Sequence, residues 1–425
     1  MAHIRKRGKT YQIIVSNGRD AAGKQLIETK TFTPDPSWSE KRTQKELLKA
    51  ADEFEAQVKT GLFFKGSQMT FEELADKWMT EYVVPTLMDN TRTKYAEVVR
   101  AYLVPKFGKI KLENLTPLLI QSFFNEFYSD TSRYNLSHGS VQKILTVMKS
   151  IMKKAYQWSL IKENPMDRIY LPKSSVIDKK PACFTQEQAI AFLKFIDAPY
   201  SVLVSGHSYH SAASGNREIS AYSRSAELSL QLKLFFIIAL YGGLRKGEAL
   251  GLRWEDIDYQ KNELYIKRSA YSYQGEMKTK VPKTKGSARV LSMPASVMEL
   301  FAKHQQAQQA QCLELSGYWN DEGWVFTQDN GKMMNYSTPY HAFKRVIAHY
   351  NQLHTNPEDH LPDIPLHGLR HTTATLLITN NVDPVTVAAR LGHSQTSTTL
   401  DTYSHAVQST NKAAAIQLEQ ILTPK

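Results

Sequence analysis

From Thr70 onward, apolar residues recur with a helical period. Phe71, Leu74, Trp78 and Tyr82 fall on one face, and Thr70 with Glu73 has the spacing of a capping box. The same period predicts helices over about 90–103, 116–128 and 140–158. The last carries a stripe of Val141, Ile144, Leu145, Met148, Ile151, Met152 and Ala155. Residues 70–170 therefore predict an all-helical domain. Ahead of it the period shortens to two: Tyr11–Val15 is β-rich, 17–24 is turn-like and 26–32 alternates. Residues 1–66 predict a compact module, a small three-stranded sheet plus one helix over 39–60, with Ser39 as N-cap and Gly61 as C-cap.

Two prolines between Asn164 and Lys180, Pro165 and Pro172, mark a linker, set at 171–182. The third domain, 183–425, opens with a helix near Gln186–Ile196. A Ser-rich stretch over 201–225 then predicts an irregular, flexible insertion before a helix opening near Ala226. Residues 262–294 are β-rich, 295–315 predict a helix, and helices continue to an amphipathic tail helix over 406–425. The predicted fold class is multidomain and mainly α, with a mixed α+β third domain that is mostly helical and carries a small β-sheet.

Composition bounds the function. The chain has 425 residues, 42% hydrophobic and 22% charged, which fits globular domains and excludes a fibrous or largely disordered product. The apolar run Leu234–Leu244 ends against Arg245, short of the roughly 20 residues that span a membrane. No apolar stretch follows the basic start, so a signal peptide is not expected. Cys183 and Cys312 are far apart and lack ligand neighbours, which argues against a disulfide framework or a cysteine zinc site. These features predict a soluble, cytoplasmic protein.

The 53 Lys and Arg against 41 Asp and Glu give a net charge of +12, which favours a polyanion: nucleic acid or an anionic membrane surface. The first thirty residues concentrate the charge, and Arg5, Lys6, Arg7 and Lys9 are candidate DNA contacts. On the fourth helix of the helical domain, Lys143, Lys149 and Lys153 fit either an ordinary solvated face or a phosphate-facing one.

Two motifs mislead. Gly18, Gly23 and Lys24 match the spacing of a phosphate-binding loop, yet Gln25 replaces the magnesium-binding hydroxyl residue and a strand follows where a helix is required. His367 and His371 have metal-ligand spacing, but the Glu of H-E-x-x-H is absent.

Four short islands in the third domain carry the chemistry: Gly242-Gly243-Leu244-Arg245-Lys246-Gly247-Glu248, Pro282-Lys283-Thr284-Lys285-Gly286, Leu366-His367-Gly368-Leu369-Arg370-His371, and Leu391-Gly392-His393-Ser394, the last followed by Tyr403. Taken singly, Arg245 fits a surface cation at a helix end, His367 a core histidine, Tyr403 a half-buried aromatic, and Lys283 with Lys285 a solvated charge run.

Taken in order, Arg245, Lys283, His367, Arg370, His393 and Tyr403 resemble the catalytic set of the tyrosine recombinases, the family of lambda-type phage integrases. The resemblance spans most of the chain. It implies an arm-type DNA-binding module at 1–66, a core-binding SAM-like domain at 70–170 and a catalytic domain at 183–425. Arg245 and Arg370 would clamp the non-bridging phosphate oxygens, because guanidinium is always charged and its planar fork matches them. His393 would be a third donor and His367 would assist proton transfer. Tyr403 would attack as phenolate and form a 3′-phosphotyrosine, while Lys283, preferred over Lys285, would protonate the leaving 5′-oxygen. The covalent link conserves the phosphodiester's free energy, so neither metal, nucleotide nor any other cofactor is expected.

The resemblance further implies double-stranded DNA attachment sites as substrate, a homotetramer in the synaptic complex, and a directionality factor with a DNA-bending host protein as possible partners, at the nucleoid of a bacterial host. The expected function is integration and excision of a phage or other mobile element. A type IB topoisomerase-like strand transferase, a non-catalytic DNA-binding regulator and a metal-dependent acidic-triad transposase are the alternatives.

Overall fold

The protein is described by a computed structural model over residues 2–19, 23–59, 69–129, 134–172, 182–204, 207–211, 215–219, 222–281 and 288–392, with Glu419 and Leu422. It forms two compact units, Met1–Ser175 and Val176–Lys425.

The first unit begins with the antiparallel sheet β1 (His3–Arg7), β2 (Thr10–Arg19) and β3 (Gln25–Phe32), in the order β1-β2-β3. Strand β2 runs on through Asn17–Arg19, the start of the stretch 17–24 that the sequence pattern predicts as a turn. The register shifts between Ser16 and Arg19, and Gly18 at φ 84° absorbs the irregularity as a bulge. Helix α1 (Glu40–Lys59) packs across the sheet, closing a core of Ile13, Val15, Leu47, Ala51, Phe54 and Val58. Ser39 caps it, its Oγ accepting from the Arg42 amide at 3.4 Å. Gly61, the predicted C-cap, lies outside the described residues.

The helical part follows with α2 (Phe71–Trp78), α3 (Val84–Thr86), α4 (Asp89–Val98), α5 (Val104–Phe107), α6 (Pro117–Glu126) and α7 (His138–Gln157). The capping box at α2 is formed: Glu73 N donates to Thr70 Oγ1 at 3.3 Å and Thr70 N to Glu73 Oε2 at 2.8 Å. Wide π turns, Met79–Val83 and Val99–Leu103, each end two residues before a proline, Pro85 and Pro105. Proline supplies no N–H and its ring crowds the carbonyl four residues back, so widening the turn continues the helix instead of breaking it. Helix α7 starts two residues before the predicted position, capped by Ser137, whose Oγ accepts from the Ser140 amide at 3.3 Å. Its whole apolar stripe is buried, against Trp78 stacked on Tyr95 and a cluster of Phe107, Phe123 and Phe127.

In the second unit, α8 (Gln186–Asp197) is followed by β4 (Tyr200–Val204), β5 (His207–Ser211), β6 (Gly215–Ile219) and β7 (Tyr222–Ala226). The predicted irregular insertion is thus strand-forming: β4 pairs with β7 and β5 with β6, all antiparallel. Among its serines stand Tyr200, Val202, Leu203, Val204 and Tyr209, residue types suited to a pleated ribbon, and the serine content masked them. Because Ala226 pairs with Tyr200, helix α9 (Leu230–Tyr241) opens after it, not near Ala226.

Then come α10 (Lys246–Leu250), β8 (Ile257–Asp258), β9 (Glu263–Ile266), β10 (Ser269–Tyr273), β11 (Glu276–Lys280), β12 (Arg289–Ser292), α11 (Ala295–Leu315), α12 (Thr338–Leu353), α13 (Gly368–Thr379) and α14 (Pro384–Leu391). One sheet has the order β12-β9-β8, and β10 with β11 forms a separate hairpin. Phe184, Phe192, Phe235, Phe236 and Phe343 centre the core that fixes α9, the element leading into the first island.

Candidate active site

Helix α9 is buried around most of its circumference and stops at Gly242. Its apolar residues anchor the bend Gly243–Arg245, from which α10 departs. That short helix lies directly on β10. A Cβ on Gly247 would stand 2.4 Å from the Ala270 carbonyl oxygen, so only glycine permits this approach. The packing fixes Arg245 at the first residue before α10, its side chain 38% exposed.

Glu248, one turn on, holds it there. Glu248 Oε2 accepts from the Arg245 amide at 3.0 Å and Oε1 from Arg245 Nη1 at 2.7 Å. Arg245 Nη2 reaches the Gly392 carbonyl at 3.3 Å. Burial pushes the Glu248 carboxyl up, but the Arg289 hydrogen bond and charge, with the Arg245 amide and charge, outweigh it and leave the group below its ordinary value. Glu248 is therefore an anion.

Arg370, on the first turn of α13, is 2% exposed and donates from Nη1 to the Gly243 carbonyl at 2.7 Å. The adjoining Thr373 Oγ1 bonds the Leu240 carbonyl at 2.5 Å, so α13 is tied to both the end of α9 and the bend. His367, at the N-cap of α13, shares an open cleft of about 420 Å³ with Arg245, Lys246, Ser269, Tyr336 and Tyr340. Burial of the ring's inner side, then the charges of His371, Arg370 and Arg245, lower His367 to about 4, with Glu248 opposing. Its imidazole is neutral at neutral pH and can accept a proton. His371 stands perpendicular to it at 4.9 Å between centroids and is lowered too, by burial and then Arg370.

Arg245, Arg370 and His367 are thus brought together from two islands far apart in sequence. His393, Lys283, Lys285 and Tyr403 lie outside the described residues. His393 directly follows Gly392, whose carbonyl is already a partner of Arg245, and Lys283 with Lys285 falls in 282–287, ahead of β12.

Two participants had little or no sequence signal. Glu248 sits inside the first island but carried no role. Arg289 is an isolated arginine whose partners, Glu248 and the Arg390 carbonyl, are 41 and 101 residues away. Lys246 also faces the cleft, 3.7 Å above the Tyr336 ring, with burial lowering its ammonium.

In the first unit, Arg5, Lys6 and Arg7 are exposed on β1 and Lys9 in the turn after it. Lys143, Lys149 and Lys153 are all exposed on α7. Lys149 and Lys153 line a shared cleft of about 400 Å³ with Asn164 and Tyr170, whereas Lys143 is not part of it.

The family domain described as phage integrase matches residues 215–409, and the phage integrase N-terminal SAM-like domain matches residues 70–128. The chain belongs to the phage integrase family. Members of this family, the tyrosine recombinases, cut and rejoin DNA. Among relatives of this integrase, a tyrosine recombinase XerC-like protein of Caldanaerobacter subterraneus subsp. tengcongensis is 27% identical, with 96% of this chain and 95% of the relative aligned. The ICEBs1 integrase of Bacillus subtilis is 25% identical, over 97% of each chain. Among solved structures, the Tn1549 transposon integrase in complex with a circular intermediate DNA matches with a TM-score of 0.63 at 20% identity, covering 82% of this chain and 99% of that one. That likeness is one of fold. The multidomain, mainly helical reading of the sequence and its family resemblance both hold.

Proposed function

We propose that this integrase recombines specific double-stranded DNA sites through a 3′-phosphotyrosine, moving a phage or other mobile element into and out of a host chromosome. The observation that supports it most is the convergence of Arg245 and a neutral His367 on one open cleft, with the buried Arg370 bonded to the bend that presents Arg245. Two fixed guanidiniums offset the charge that grows on the non-bridging oxygens in the transition state, without reorganising at the moment of reaction.

In the proposed step Tyr403 Oη attacks the scissile phosphorus, its proton passing to His367. The bond from phosphorus to the 5′-oxygen breaks, and Lys283 gives that oxygen a proton. His393 donates to the phosphate. The 5′-hydroxyl of the exchanging strand then attacks the phosphotyrosine, releasing Tyr403 and restoring a phosphodiester. Exchange between two duplexes would require a tetramer of this chain, with the tail 406–425 as the link between protomers. The exposed cations Arg5, Lys6, Arg7, Lys9, Lys143, Lys149 and Lys153, with Lys285, would hold the DNA backbone. A directionality factor and a DNA-bending host protein would complete the assembly at the nucleoid.

The test is a denaturing gel of protein incubated in excess chelator with labelled DNA spanning the element's junction. A protein-linked band with wild type and none with Tyr403→Phe is expected. Failure to link to bound junction DNA, or a band that persists in Tyr403→Phe, overturns the reading.

A further inference from the structure

Arg289 joins three pieces of the second unit that are remote in sequence. It begins β12 and directly follows Ala288, the first described residue beyond the segment that holds Lys283. Its side chain is 7% exposed and lies against Glu248, which is 5% exposed. Nη2 donates to Glu248 Oε2 at 2.9 Å, and Nε donates to the Arg390 carbonyl at 2.7 Å, in the last turn of α14. Glu248 in turn holds Arg245 through its other oxygen and through the backbone amide. One guanidinium therefore touches the anion that orients Arg245 and the helix end that leads into His393.

The space around it is shaped for this side chain. Gly392 ends α14 in the left-handed conformation at φ 68°, and a Cβ there would stand 2.7 Å from Arg289 Nη1 and 3.2 Å from its Cδ and Cζ. A side chain at Gly392 would force the arginine to shift even if the backbone tolerated it. Gly392 also offers its carbonyl to Arg245. Arg245, Glu248, Arg289 and the 390–392 turn thus form one closed ring of charge-assisted contacts, in which each guanidinium binds both Glu248 and the α14 terminus.

We infer that Arg289 is a positioning residue for strand cleavage: it sets the Arg245 guanidinium and the segment entering His393 against each other, and does so only as a planar guanidinium. The inference rests on the recombinase reading and deepens it. An ammonium has the charge but not the fork, so a lysine at this position can satisfy Glu248 or the Arg390 carbonyl, not both at these angles. Displacing a phosphate-binding group by a fraction of an ångström to an ångström is enough to slow a preorganised reaction by about 10- to 100-fold.

The experiment measures single-turnover cleavage at saturating protein, DNA affinity and the thermal midpoint for wild type, Arg289→Lys, Arg289→Ala, Glu248→Gln and the Arg289→Lys/Glu248→Gln pair. Expected for Arg289→Lys is a cleavage rate lower by about tenfold or more, with DNA affinity and thermal midpoint close to wild type. The pair should be no slower than the worse single variant, because both changes break one linkage. Free guanidinium at low, non-denaturing concentration should restore part of the cleavage lost in Arg289→Ala. A purely structural role predicts instead that cleavage follows the folded fraction, or that the two changes multiply; either result overturns the inference. Wild-type cleavage by Arg289→Lys overturns it as well. If wild type itself makes no adduct on bound junction DNA, the recombinase reading has failed, which is a distinct result.

Discussion

Arg370 donates to the carbonyl oxygen of Gly243 at 2.7 Å, so a buried arginine on α13 braces the backbone bend that presents Arg245. The bend is possible because Gly243 adopts φ 59°, a region that L side chains enter at a cost.

Gly243→Ala tests that bend. The new methyl meets the left-handed backbone penalty and would stand 2.4 Å from Cδ2 of the fully buried Leu391. A loss of about 1–3 kcal/mol in unfolding free energy is expected, read from the shift of a urea transition. Cleavage should fall further than the folded fraction does, because Arg245 and Arg370 both key on this segment. An unchanged transition would mean the bend carries no strain.

Glu248→Gln removes the anion between two guanidiniums. Glu248 and Arg289 are both nearly inaccessible, so the change leaves buried positive charge uncompensated, and stability should drop by about 3 kcal/mol. Chemical denaturation gives the value. A loss below about 1 kcal/mol would place the pair in the class of exposed ion pairs.

His367 should remain neutral in the free protein well below the ordinary imidazole range. Burial, His371, Arg370 and Arg245 hold it near 4, against 6.5 for a free side chain. A carbon-labelled histidine titration should therefore show its ring signal unmoved from pH 8 to pH 5. The linkage has a definite sign. Between pH 6.5 and 4 the unfolded chain binds a proton that the folded chain refuses, so stability declines as pH falls through that window. His367→Gln should flatten part of the decline in melting temperature, and an unaltered slope would count against the assignment.

Lys149 and Lys153 share one cleft in the first unit. If they meet phosphates, Lys149→Gln with Lys153→Gln should weaken binding equally on specific and random duplexes. The slope of log affinity against log salt should shrink by roughly 0.9 for each phosphate that is no longer neutralised. A selective loss on one sequence would instead mark base recognition.

The legible parts were those carried by local pattern. Thr70 and Glu73 announced a helix start, and the motif islands marked Arg245, His367 and Arg370 because each is compact in sequence. The π turns at 79–83 and 99–103 were hidden, since hydrophobic period alone does not register how Pro85 and Pro105 widen a helix. The strands over 200–226 were hidden by serine, which is compatible with loop and ribbon alike. Arg289 was invisible for a different reason. Nothing near it names Glu248 or Arg390 as partner, because the pairing exists only once β12 lies beside α10 and α14.

The ribbon over 200–226 leaves and rejoins the second unit at a single rung, Tyr200 opposite Ala226. Facing residues of an antiparallel pair sit about 5 Å apart, so the chain departs and returns through one doorway. For the experimenter the same doorway is a splice point, where a fluorophore or affinity handle can be inserted in place of residues 201–225 at neighbouring chain ends.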